Sequence, residues 1–162
     1  MNKCLIVNQN LRKCIKKANK IIWLGVWKVL AEQTMSDGFQ DLKVMVIDDS
    51  KTIRRTAETL LKKAGCEVFT ATDGFEALSK IADHKPDIIF VDIMMPRLDG
   101  YQTTALIKNN KLFKNTPVVM LSSKDGLFDR ARGRIVGSEQ YLTKPFTKEE
   151  LLGAIKKHVA KV

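Results

Sequence analysis

An α/β fold with a doubly wound, five-stranded parallel sheet, preceded by a basic helical extension, is predicted by three observations. First, the short continuous apolar runs Val44-Met45-Val46-Ile47, Ile88-Ile89-Phe90-Val91 and Val118-Val119-Met120-Leu121 read as strands buried on both faces, the signature of a parallel sheet. Second, weaker strand patterns at Glu67–Ala71 and Gln140–Thr143 bring the number to five, and helical stretches at 51–64, 74–83, 100–110, 125–136 and 147–160 alternate with the strands. Third, successive β-α units require crossovers, and right-handed crossovers wind helices onto both faces of one sheet.

Each element has its own signals. After the first strand, Ser50 reads as the N-cap of 51–64, where Ile53, Ala57, Leu60, Leu61 and Ala64 recur at helical spacing and Gly65 stops the helix. Cys66 follows as a small apolar residue leading into the second strand. Pro96 and Asp99-Gly100 break the chain after the third strand, so a turn precedes the helix from 100. The last helix opens with Thr147 and, three residues on, Glu150, a capping box.

Composition bounds the function. The 162 residues suit one domain with a short appendage, and 44% hydrophobic with 28% charged residues permits a packed core. No apolar run reaches the length of a membrane span. The net charge is +10, but residues 1–34 set seven basic residues against Glu32 alone, a net +6, and leave +4 for the other 128. The basic total therefore lies mostly outside the folded body, and a nucleic-acid partner is discounted. Cys4, Cys14 and Cys66 form no C-x-x-C pair, and the odd count fits a reducing compartment. His84, in a loop, and His158, in the last helix, read as surface residues.

In doubly wound sheets, ligands bind outside the carboxyl ends of the strands, at the switch point. Those ends are unusual here. Asp48-Asp49 ends the first strand, Asp92 ends the third within FVDIMMPRLDG, Ser122-Ser123 ends the fourth, and Thr143-Lys144-Pro145 ends the fifth. Singly, each has a plainer explanation: Asp48 and Asp49 as caps of the first helix, Ser122 as a cap, Lys144 as a loop lysine. Together they place three carboxylates, a hydroxyl and an ammonium at one edge of one sheet. Hard oxygen donors without His or Cys select Mg2+, and an ammonium and a hydroxyl suit phosphoryl oxygens. The set describes a phosphoryl-transfer site whose central carboxylate is the nucleophile.

The segments VMVIDDS, IIFVDIMMPRLDG, VVMLSSKD and YLTKPF, in this order, resemble the receiver domain of bacterial two-component response regulators across about residues 42–160. The resemblance implies a flavodoxin-like fold of CheY type. Asp92 would accept a phosphoryl group from a histidine kinase, and Asp48, Asp49, Asp92 and the backbone carbonyl of Met94 would hold Mg2+. Ser122 and Lys144 would bind the phosphoryl oxygens, Ser122 and Tyr141 would form the switch, and the Lys144-Pro145 peptide would be cis. Ser rather than the commoner Thr at 122 departs from the pattern but keeps the hydroxyl. The only chemistry expected is the protein's own phosphorylation and dephosphorylation.

Longer stretches, VMVIDDSKTIRRTAETLLKKAGCEV and YLTKPFTKEELLGAIK among them, resemble the single-domain regulators of type IV pilus chemosensory systems. That implies control of twitching motility, a hybrid or chemotaxis-type histidine kinase as phosphodonor, and a pilus motor or signalling protein as target. The output face would be the fourth helix, fifth strand and fifth helix, residues 124–160. No DNA-binding module is expected behind them. A phosphate-sink regulator of the same phosphorelay is the alternative. An Asp-nucleophile phosphatase of haloacid-dehalogenase type fits poorly, because it needs a second acid where Met94 stands and its nucleophile comes first in the chain. Met94 and Lys124, each two residues past a site residue, are long enough to hinder an attacking water, so a phosphoryl lifetime longer than seconds is expected.

Residues 1–34 form a separate question. Leu11, Ile15, Ala18, Ile22, Val26 and Val29 recur at helical spacing among basic residues, with Trp23 and Trp27 one turn apart, a pattern of membrane-surface helices. The stretch faintly imitates a signal peptide ending at Val29-Leu30-Ala31, but its apolar core is short and Lys28 follows it, so export is not expected. The favoured reading is that Met35-Ser36-Asp37-Gly38 is the natural start. On it, 1–34 is an over-long translation and not native, 35–42 a polar leader and 43–160 the receiver domain. Membrane contact is expected only if 1–34 is real, and a cytoplasmic location in either case.

Overall fold

A computed structural model describes residues 39–123 and 127–159, with the side chains of 127–129 left aside. The expectations placed on residues 1–34, on Cys4, Cys14, Trp23 and Trp27, and on Lys124 lie outside these residues. The described chain alternates strictly: β1 (Lys43–Ile47), α1 (Lys51–Lys63), β2 (Glu67–Ala71), α2 (Gly74–His84), β3 (Ile88–Asp92), α3 (Gly100–Asn109), β4 (Val118–Ser122), α4 (Leu127–Ile135), β5 (Gln140–Thr143) and α5 (Lys148–His158). The five strands form one sheet in the order β2-β1-β3-β4-β5, every pairing parallel. Chain progress reverses between β1 and β3, which makes their carboxyl ends the switch point.

Side chains alternate across the sheet with a period of two, and the continuous apolar runs thereby supply two cores. Val44, Val46, Ile88, Phe90, Val119 and Leu121 face α1 and α5, where Leu61, Leu151 and Ile155 meet them. Met45, Ile47, Ile89, Val91, Val118 and Met120 face Ala77 and Ile81 of α2 and Tyr101 and Ile107 of α3. Each large side chain buried this way contributes roughly 1.5–3 kcal/mol against conformational entropy. Among the described residues, no helix is long and apolar enough to cross a membrane.

Helix ends follow local chemistry, with one difference from expectation. Thr147 and Glu150 form the capping box foreseen, and Gly65 takes φ +95° where α1 stops. Asp73 caps α2 by accepting the Glu76 N–H, and Asp99 with Gln102 forms a second capping box on α3. Ser50 occupies the cap position of α1, but its hydroxyl makes no capping bond. The turn is instead held by Asp48, whose Oδ1 accepts the Ser50 N–H at 2.8 Å. A carboxylate two residues back thus fixes the backbone at the cap position, although it does not take over the hydroxyl's own capping role.

Three other residues differ from their sequence reading. Phe39, in the segment read as a polar leader, is fully buried in the α1/α5 core, with the Lys156 ammonium 5.3 Å from its ring centre. His84 is half-buried and stacks on Phe69 of edge strand β2 at 3.9 Å. His158, also half-buried, lies 2.9 Å from the Gln140 side-chain oxygen. At the rim where the strands begin, the Asp87 carboxylate accepts the Lys43 N–H, and Glu139 accepts both the Val118 N–H and the Lys108 ammonium.

Gly100 fixes how α3 meets β3. A Cβ there would fall 2.2 Å from the Asp92 carbonyl oxygen and 2.8 Å from the Ile93 Cα, so only a bare Cα lets the helix start lie on the strand end. Gly153 of α5 has nothing within 4 Å of such an atom. Gly100→Ala is expected to lower unfolding free energy by about 3 kcal/mol, whereas Gly153→Ala raises it by about 0.5–1 kcal/mol, both read by urea denaturation.

Candidate functional site

Register brings the strand tips together. Ile47 pairs with Val91, which sets Asp48 level with Asp92 across β1 and β3. Asp92 pairs with Leu121, and Leu121 with Leu142, so Ser122 stands one residue further along β4 and Lys144 two residues further, just past the end of β5. β1 itself stops at Ile47, and the acidic pair opens the loop behind it rather than ending the strand. The carboxylates of Asp48, Asp49 and Asp92 offer oxygen atoms that all lie within 4.8 Å of one another.

These groups differ sharply in exposure. Asp48 is fully buried, Asp92 is 5% exposed and Ser122 3% exposed, while Asp49 is exposed. Lys144 reaches into the cluster, its ammonium 2.5 Å from Asp48 Oδ2 and 2.8 Å from Asp92 Oδ1. Its backbone N–H donates to the Ser122 carbonyl at 2.7 Å, and the peptide to Pro145 is cis. Burial pushes the Asp92 carboxyl above its ordinary range, and the neighbouring Asp48 charge adds to this. The Lys144 ammonium and the Met94 N–H pull the other way.

Three carboxylates and one ammonium leave about two negative charges in a confined space. The protein donors are oxygens only, so the cluster fits a hard divalent cation such as Mg2+ rather than a thiolate- or imidazole-loving metal. Met94, two residues past Asp92, exposes 65% of its surface and borders a hollow of about 610 Å³ shared with Asp49, Pro96, Tyr101 and Arg132.

Tyr141 stands apart. It lies on β5 opposite Met120, two residues before the strand tip, half-buried, with the Arg130 guanidinium 5.7 Å from its ring centre.

Sequence reasoning missed several supports. Arg54 of α1 donates to the carbonyls of Asp48 at 2.5 Å and Asp49 at 3.0 Å, fixing the backbone that carries both acids. Its one signal was an arginine in the first turn after an acidic pair. Arg132 of α4 lies 4.4 Å from the ring centre of buried Tyr101 on α3. Arg97 pairs with Asp73. Neither long-range contact leaves a local pattern.

Comparison with known proteins agrees with this geometry. The family profile described as the response regulator receiver domain matches residues 44–156. The chain is 80% identical over 127 residues to Protein PilG of Pseudomonas aeruginosa strain PAO1, covering 78% of this chain and 92% of that protein. It is 39% identical over 114 residues to the alkaline phosphatase synthesis transcriptional regulatory protein PhoP of Bacillus subtilis, of which the match spans only 47%. Among solved structures, the chemotaxis protein CheY4 of Vibrio cholerae superposes with a TM-score of 0.71 at 34% identity, over 74% of this chain and 99% of that one. The receiver domain of a Pseudomonas aeruginosa sensor histidine kinase, solved with a magnesium ion coordinated in its active-site cleft, gives 0.68 at 25% identity, over 73% and 97%. A parallel sheet in the order 2-1-3-4-5 with acids at its switch point, and a profile match along most of its length, make this chain a member of the response regulator receiver domain family.

Proposed function

We propose that the protein is a stand-alone response regulator, phosphorylated on Asp92 by a histidine kinase of a type IV pilus chemosensory system, and that it controls pilus-based twitching motility through a protein partner. The observation that carries the chemistry is the buried Asp92 carboxylate, bonded to the Lys144 ammonium beside two further acids. The pilus assignment is supported by the 80% identity to PilG. The kinase would be of hybrid or chemotaxis type, the target a pilus motor or signalling protein, and the setting cytoplasmic.

The roles follow from position. Asp92 attacks the phosphorus of a phosphohistidine, a P–O bond forming as the P–N bond breaks. Lys144 favours the ionised form of the attacking carboxylate and so opposes the effect of its burial. Asp48, Asp49, Asp92 and the Met94 carbonyl would hold Mg2+, which when bound neutralises the charge developing on the phosphoryl oxygens. After transfer, Ser122 and Lys144 take phosphoryl oxygens, and Lys144 loosens its hold on Asp48. Movement of Ser122 opens space beside β4 for Tyr141, and the face of α4, β5 and α5 changes shape for the partner. The protein acts on no substrate besides its own phosphoryl group.

Asp92→Asn is expected to abolish labelling by the cognate kinase and by acetyl phosphate; full labelling of that variant would overturn the assignment. A phosphorylation-dependent binding assay against pilus motor components separates a signalling role from a phosphate sink, which would bind none of them.

Saturating Mg2+ should raise the melting midpoint, and Asp49→Asn should remove that rise. The Asp92 pKa is raised in the folded state, so its ionised form costs stability at neutral pH, and the cost is relieved as pH falls through the raised value. Asp92→Asn removes it at any pH, and its midpoint in EDTA at pH 7 should exceed that of the unaltered protein.

A further inference from the structure

The loop that joins β3 to α3, residues 93–99, carries the Met94 backbone assigned above to the metal. Its base is closed by the Gly100 N–H donating to the Ile93 carbonyl at 3.0 Å. Its far side turns tightly, with the Leu98 N–H donating to the Pro96 carbonyl at 2.8 Å and Arg97 between them at φ +68°. Residues with a side chain rarely adopt that conformation, and Arg has no side-chain acceptor to stabilise it locally. Beyond these backbone bonds, a contact from outside the loop also holds it.

The start of α2 does so. The Arg97 guanidinium pairs with Oδ2 of Asp73 across 24 residues of chain. Asp73 is 5% exposed, and its other oxygen accepts the Glu76 N–H at 2.9 Å, so this carboxylate cannot swing to follow a moving partner. Gly74, next to it, lies so close to the loop that a Cβ would fall 2.6 Å from Leu98 Cδ2. The helix start thus grips the loop by charge at residue 97 and by packing at residue 98.

We propose that Asp73 and Arg97 form a latch that positions the β3–α3 loop for cation binding, so that Arg97 is a positioning residue for the acidic site although it touches neither metal nor phosphoryl group. The inference rests on the metal and phosphoryl roles proposed above. With the pair intact, the Met94 carbonyl is presented at a fixed place before any ion arrives, and binding carries no cost of ordering the loop. With the pair broken, Arg97 leaves its left-handed conformation, and that cost returns with each ion bound. The latch acts through backbone placement, as supports behind metal ligands do elsewhere.

The test is Mg2+ titration by isothermal calorimetry on the full chain, with melting in EDTA measured in parallel. Arg97→Gln should weaken Mg2+ binding on the order of tenfold, and Arg97→Lys, which keeps the charge, should recover most of it. Asp73→Asn retains the helix cap but loses the pair, and should weaken binding equally. In the double variant no buried charge is left unpaired, so melting in EDTA returns to within about 2 °C of the unaltered protein while Mg2+ binding stays weak. Amide exchange at Leu98 and Gly100 should quicken in all variants except Arg97→Lys.

Mg2+ affinity within about twofold of the original in Arg97→Gln, or affinity that tracks EDTA melting across the set, would overturn the latch. If the unaltered protein shows no saturable Mg2+ uptake, or Asp49→Asn takes it up equally well, the underlying metal assignment falls instead.

Discussion

One ammonium joins the two halves of the acidic edge. Lys144, from the tip of β5, bonds both the fully buried Asp48 behind β1 and the nearly buried Asp92 at the end of β3. Without it, two carboxylates would be desolvated side by side, an arrangement that costs several kcal/mol unless one of them takes up a proton. The cation leaves the cluster short of neutrality by about two charges, and that shortfall is of the size a divalent ion would offset. Structure and chemistry here depend on the same incomplete compensation.

The sheet makes this arrangement inevitable once the strands are in register. Parallel strands carry all their carboxyl ends to one edge, and the reversal between β1 and β3 opens the cleft there. Helix α3 can follow β3 so closely only because Gly100 lacks a side chain, and the short loop between them keeps the Met94 backbone beside Asp92. The arginines finish the frame from outside: Arg54 grips the carbonyls of the acidic loop, and Arg97 reaches the start of α2. Each uses a charge at the surface to steady backbone at the site.

What could be read from sequence divides by range. Strands buried on both faces announce themselves as unbroken apolar runs, so β1, β3 and β4 and the residues at their ends were visible, and with them Asp48, Asp49, Asp92 and Ser122; Lys144 followed from the weaker pattern of β5 and the proline behind it. The capping box at Thr147 was visible for the same reason, since both partners lie within one turn. Ser50 shows the limit of such local rules, because it holds the cap position while its hydroxyl makes no capping bond and Asp48 takes its backbone N–H. Phe39 sat in a polar stretch and gave no hint of its burial, and the stack of His84 on Phe69 joins residues from different elements. Arg97 is the sharpest case: nothing around it marks a left-handed turn, and its partner lies at the head of another helix.

The rim opposite the acidic edge is closed by side chains as well as by the tight turns at Gly65 and Gly137. Asp87 binds the first amide of β1, and Glu139 binds the first amide of β4 while holding Lys108. Five residues of strand, about 16 Å, separate these staples from the carboxylate cluster. Connections on that side can therefore vary away from Asp87 and Glu139, while the carboxylate rim keeps its shape. The molecule has a working end and a handle.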